Sequence, residues 1–104
     1  MNFNGINKGK VVMKPKINQK VYIVHQNQIY EETAGYLGKH SFVINFYDSD
    51  WNSEYEYDDY NKVWFRSLEK AKEELLKRYK NYGCKVTIEK VSEFTWEAVG
   101  DENE

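Results

Sequence analysis

Leu68, Ala71, Leu75, Tyr79 and Tyr82 recur at spacings of three, four, four and three, which lays one apolar stripe along a helix. Ser67 stands at the N-cap position and Glu69 in the first turn, while Lys77, Arg78 and Lys80 fall in the last turn, where the helix dipole favours cations. Gly83 is a natural terminator. The residue three after Ser67 is Lys70, so a reciprocal capping box is absent. A helix with one apolar face must bury it against something, and the flanking sequence reads as strands.

Val21-Tyr22-Ile23-Val24 is apolar on both parities, as in a strand covered on both faces. Gln26 to Gly38 is polar, with Gly35 and Gly38 as expected turn points. From His40 to Tyr47 the pattern alternates, placing Phe42, Ile44 and Phe46 on one face. Tyr60 to Arg66 holds a third strand, with Val63 and Phe65 on one face and Trp64 opposite. After the helix, residues 85–89 alternate again, the parity slips at Val91, and Phe94, Trp96 and Ala98 resume it, so a bulge or tight turn is expected near Lys90 to Glu93. The expected fold is α+β: a mainly antiparallel sheet of about four strands with one amphipathic helix packed on one face, in the order βββαβ. Residues 20–99 would form the single domain, preceded by a basic flexible arm (1–19) and followed by an acidic tail (100–104). Within the arm, Val11-Val12-Met13 stops at Lys14-Pro15 and is at best an edge strand.

A length of 104 residues allows one modest core. No apolar run approaches the ~20 residues that span a bilayer, and no apolar signal core opens the chain. One cysteine cannot form an internal disulfide. A cytoplasmic, non-membrane protein is therefore expected, as a monomer or homodimer.

The net charge of −2 hides strong segregation. Residues 1–20 carry five lysines and no acid; residues 21–60 carry eight acids against Lys39 alone. Residues 61–100 have nine Lys or Arg and six acids, and Asp101, Glu102 and Glu104 end the chain. Such fields act on association and partner choice. The most unusual stretch, Tyr47 to Tyr60, holds six carboxylates and no base among residues 48–60. If 54–58 is extended, Glu54, Glu56 and Asp58 project from one face at intervals of roughly 6.6 Å, close to two ~3.4 Å phosphate steps of a duplex strand. Asp48, Asp50, Glu54, Glu56, Asp58 and Asp59 are thus candidate partner-binding carboxylates, with Trp51, Tyr55, Tyr57 and Tyr60 as candidate anchors. The competing reading is a solvated hairpin loop whose tyrosines pack on the sheet.

Counted from Asp48, the same stretch partly fits a calcium loop, but Ser53 occupies the turn position and Asp59 the last ligand position. Cys84, His25 and His40 lack ligand or triad spacing, and a Gly-rich phosphate loop is missing. No catalytic residue, metal or cofactor is expected, and the N-terminal lysines lack the interleaved aromatics of a nucleic-acid platform.

Lys20 to Val99 resembles small accessory proteins of phages and mobile elements of low-GC Gram-positive bacteria, through Lys20-Val21-Tyr22-Ile23-Val24, the run Val63-Trp64-Phe65-Arg66-Ser67-Leu68-Glu69-Lys70-Ala71 and the Asn-, Lys- and Tyr-rich usage. Trp51 to Tyr60 is similar to the acidic, Tyr-containing loop of some anti-CRISPR proteins that occupy the DNA-recognition groove of an effector nuclease. That resemblance implies a non-enzymatic inhibitor acting on a basic, nucleic-acid-handling host protein, such as a CRISPR or other defence nuclease, by mimicking a polyanion. The alternative is a structural or assembly module that self-associates through its segregated charges.

Overall fold

The computed structural model describes residues 12–44, 53–80 and 85–100. The fold is α+β with one helix and a curled, mostly antiparallel sheet. Among the described residues seven strands form it rather than about four: β1 (Lys20–His25), β2 (Gln28–Leu37), β3 (Ser41–Ile44), β4 (Glu54–Glu56), β5 (Trp64–Phe65), β6 (Val86–Ser92) and β7 (Thr95–Gly100). A 3₁₀ turn, Tyr57–Asp59, follows β4, and helix α1 (Leu68–Arg78) separates β5 from β6. The expected order βββαβ is therefore corrected to βββββαββ.

The main source of the difference is β2. Its ten residues were expected to be a polar connection, yet they form the central strand. Polar residues survive there because their backbone groups are paired along the β1 edge and at both ends of the other edge, which satisfies most of the chain whatever the side chains are. β1 pairs along one edge, from His25 opposite Gln28 to Lys20 opposite Thr33. The other edge forks: Gln28 to Tyr30 pairs with β7, and Ala34 to Leu37 pairs with β3. The remaining order runs β4-β3-β2-β1-β5.

The sheet curls strongly along that path. Phe42 of β3 and Trp64 of β5 are three inter-strand steps apart, which would be about 14 Å in a flat sheet. Their ring centroids are 4.9 Å apart. The far side of the curl is filled by Val21, Ile23, Ala34, Phe42, Ile44, Tyr57 and Trp64. On the opposite side α1 buries Ala71 and Leu75 against Val24, Ile29, Phe65, Trp96 and Ala98. The both-parity pattern of Val21 to Val24 thus reflects a strand with cores on both faces. Trp64 and Phe65 point to opposite clusters, as alternation requires. Val63 packs with the far-side cluster rather than with Phe65, because β5 is only two residues long and Val63 still belongs to the turn before it.

Helix α1 begins as its sequence dictates, with Ser67 Oγ accepting from the Lys70 amide at 3.1 Å. Gly83 and Cys84 lie outside the described residues. β6 and β7 form a hairpin with Glu93 and Phe94 at its turn, and the ladder shifts register between Lys90 and Ser92, so the expected slip at Val91 is a bulge next to a tight turn. Of the expected arm, residues 12–19 are described. Pro15 is fully buried, Met13 packs on the far-side cluster, and the Asn18 amide donates to Ala34 O at 2.7 Å.

Candidate functional site

One glycine decides what the outer surface of the curl displays. Before Gly35 the even residues of β2, Tyr30 and Ala34, belong to the far-side core. The β2–β3 ladder shifts register between Ala34 and Tyr36, which is a bulge at Gly35. A one-residue slip exchanges the faces of everything that follows. Leu37 therefore turns into the core, and Tyr36 turns outward with 65% of its surface exposed. Gly35, expected at a turn, is instead the bulge inside a strand. Gly38 does open the turn into β3, where its amide donates to Ser41 O at 2.7 Å.

β4 lies at the open end of the sheet path and pairs with β3 through Ser41–Glu56, Phe42–Tyr55 and Val43–Glu54. Alternation sends Tyr55 inward with Phe42 and leaves Glu54 and Glu56 exposed outside. The extended run ends there, since residues 57–59 are 3₁₀. Asp58 is exposed but displaced from the row, so the expected line of three carboxylates is a pair plus one. Tyr36, Ser41, Val43, Glu54 and Glu56 line an outer groove of about 750 Å³, joined by Lys39 and His40 from the β2–β3 turn.

The rings of this segment lie beneath the carboxylates rather than beside them. Tyr57 is 3% exposed, and Tyr55 and Tyr60 are half-buried. Tyr57 stacks on Phe42 with centroids 6.1 Å apart, and its hydroxyl donates to Gly38 O at 2.7 Å. Burial pushes the Tyr57 phenol above its usual range, and the charge of a nearby Tyr36 would add to that shift. Trp64 Nε1 donates to Glu56 O at 2.9 Å, and Tyr60 packs on Trp64 at 4.7 Å. The Tyr57 amide donates to His40 O, and Ser41 Oγ donates to the Glu54 carboxylate. The backbone carrying Glu54, Glu56 and Asp58 is thus fixed from below and from the side by buried groups.

Among the described residues, Glu54, Glu56, Asp58 and Asp59 take part in no ion pair. Lys14 of the N-terminal segment reaches this region, its Nζ lying over the Tyr57 ring at 5.3 Å. It shares a second groove with Lys39, Glu56 and Asp58. Asp48, Asp50 and Trp51 lie outside the described residues.

Two chemistry-bearing residues escaped the sequence reading, both on β2. Tyr36 supplies the exposed ring that Tyr55, Tyr57 and Tyr60 were expected to provide. Glu32 faces the far side of the sheet, and its carboxyl is pushed up to about 7, first by burial and then by the neighbouring Glu31 charge. The alternation of Tyr30, Glu32 and Ala34 was the available signal, hidden by the break at Gly35. Among the described residues, no group of three or more His, Cys, Asp or Glu could hold a metal ion, and no helix is long and apolar enough to cross a membrane. The chain matches no family model, no curated protein and no solved structure.

Proposed function

We propose that the protein is a non-enzymatic inhibitor of phage or mobile-element type that binds a basic, nucleic-acid-handling host protein, such as a defence nuclease, through the acidic outer face of β3, β4 and the 3₁₀ turn. The observation that supports this most is the combination at Glu54, Glu56 and Asp58: exposed carboxylates without ion pairs among the described residues, on a backbone fixed by Tyr57 and Trp64. A charge array held in place loses little entropy on binding and steers a cationic partner during encounter. Tyr36 adds a flat, amphipathic contact next to the charges, the kind of side chain enriched at energetic centres of interfaces. Tyr55, Tyr57 and Tyr60 serve this reading as supports for the array.

The test is affinity capture from a nuclease-treated bacterial extract, with the full chain beside a Glu54→Lys, Glu56→Lys, Asp58→Lys variant. The parent should retain a basic nucleic-acid-binding protein that duplex DNA displaces. The reversed variant should lose it while melting within a few degrees of the parent. Equal retention by both chains, or retention that DNA does not compete, overturns the reading. The alternative, assembly through segregated charges, predicts oligomers of the isolated protein that dissociate with salt; sedimentation at low and high ionic strength separates the two.

A further inference from the structure

A second concavity lies on the far side of the curl, away from the acidic face. The fork in β2 lies beside it: β7 pairs as far as Tyr30, the Glu31 amide donates to Phe94 O at 2.9 Å, β3 begins at Ala34, and among the described residues Glu32 and Thr33 have no ladder partner on that edge. The space left on the far side is a hollow of about 520 Å³, walled by Ile23, Tyr30, Ile44 and Tyr55, with Glu32 and His25 in its lining. That volume is within the ~300–1,000 Å³ of small-molecule sites, and the composition is the usual one, apolar walls with few polar groups.

We propose that this hollow binds an organic ammonium ion carrying an apolar body. Glu32 supplies the counter-charge, Ile23 and Ile44 the apolar contact, and the rings of Tyr30 and Tyr55 add faces to which a cation is attracted. Among the described residues no ion pair compensates the Glu32 charge. Lys20, the nearest cation on β1, pairs with Glu31 at 3.3 Å. Glu32 also acts on the Tyr55 phenol, which is raised mainly by its own burial and further by the Glu32 charge, against a lowering hydrogen bond from Ser53. The titratable groups described around Glu32 are His25 from β1, Tyr30 and Glu31 from β2, and Tyr55 from β4; β3 contributes Ile44, and among the described residues neither Lys nor Arg lines the hollow. An ammonium ion would supply the opposite charge that this wall lacks. The site does not depend on the acidic-face reading, since it uses none of Glu54, Glu56 and Asp58.

Titration of the full chain with phenethylammonium, followed by amide chemical shifts, tests it. Saturable shifts are expected at Ile23, Tyr30, Glu32 and Ile44 at pH 8. Because only the ionised carboxylate attracts the cation, and Glu32 ionises at about 7, affinity should fall roughly tenfold on going to pH 6. Glu32→Gln should lower affinity at pH 8 by a similar factor and abolish the pH dependence, whereas His25→Asn should preserve it. Neutral 2-phenylethanol binding as tightly as the ammonium, an unchanged affinity in Glu32→Gln, or no saturable shift would each overturn the proposal. Should Glu32→Gln not fold, the comparison of ammonium with alcohol on the parent chain decides alone.

Discussion

The two faces of the sheet solve the same packing problem with different materials. Under α1, small and aliphatic side chains close the surface: Ala71 and Leu75 are fully buried, and the helix's outward charges pair among themselves as Lys70–Glu73 and Glu74–Arg78. On the far side the described residues include no helix, and aromatic rings cover the sheet instead. Phe42, Tyr57 and Trp64 fold over Val21 and Ile23, leaving a hollow at Glu32 and, on the outer face of β4, carboxylates in no ion pair among the described residues. A helix is a self-sufficient lid, since its own hydrogen bonds satisfy its backbone. A lid of short strand and 3₁₀ turn must borrow partners, and here the borrowed partners, Trp64 Nε1–H and the Tyr57 hydroxyl, hold the acidic segment in place. The side that is harder to close is the side around which both proposed sites lie.

Truncating one large residue on each face breaks this comparison most severely. Trp64→Ala removes a side chain with no exposed surface and the donor to Glu56 O, and should cost about 3–5 kcal/mol, a large part of the ~5–15 kcal/mol that holds such a domain together. Leu75→Ala should cost about 2–5 kcal/mol. The distinguishing measurement is amide exchange rather than the denaturation midpoint. Trp64→Ala should release β4 and the 3₁₀ turn ahead of the helix, and Leu75→Ala should loosen α1 with β4 still protected. Uniform loss of protection in both variants would show that the two clusters are one cooperative unit.

Helix capping gives a smaller effect confined to one face. Ser67 Oγ accepts from the Lys70 amide without a reciprocal box, so Ser67→Ala should lose about 1 kcal/mol. The chemical shifts of Glu54, Glu56 and Tyr36 should stay where they are. Movement of those signals would mean that the helix positions the acidic face, contrary to the support assigned to Tyr57 and Trp64.

These two faces were also unequally legible. The helix announced itself because its stripe, its cap and its basic last turn all agree, and each signal is local. β3 was visible in the alternation of Phe42 and Ile44. β2 was not, although it is the longest described strand, because its pattern changes parity at the Gly35 bulge and one of its partners, β7, is far away in sequence. A glycine between polar residues reads as a turn, and only the ladder on both edges shows otherwise. Missing β2 meant missing both residues it contributes, Tyr36 outside and Glu32 inside. The acidic segment was conspicuous by composition. Which of its groups face water depends on β4 ending at Glu56, a length set by the packing of Tyr57 against Phe42 and hence by contacts outside the segment.

The smallest expected effect belongs to Glu32, and its sign separates the two faces once more. Burial followed by the Glu31 charge raises this carboxyl from 4.5 to about 7. Between those values the folded chain holds a proton that the unfolded chain has released, so this group's contribution to stability is complete below about 4.5 and is lost as the pH rises through 7. Glu32 is only partly buried, and solvent screening keeps the contribution under about 1 kcal/mol. Chemical denaturation at pH 5 and pH 8 should therefore show Glu32→Gln gaining stability relative to the parent as the pH rises, with the difference between the chains changing mostly between 4.5 and 7 and levelling off above 7. The paired acid Glu74 on the helix side gives the control: Glu74→Gln removes a surface pair worth about 0.3–0.5 kcal/mol and should shift the parent's curve downward by a similar amount at both pH values. If Glu32→Gln behaves like Glu74→Gln, the hollow is as wet as the helix surface, and the distinction between a closed face and a binding face no longer holds at that point.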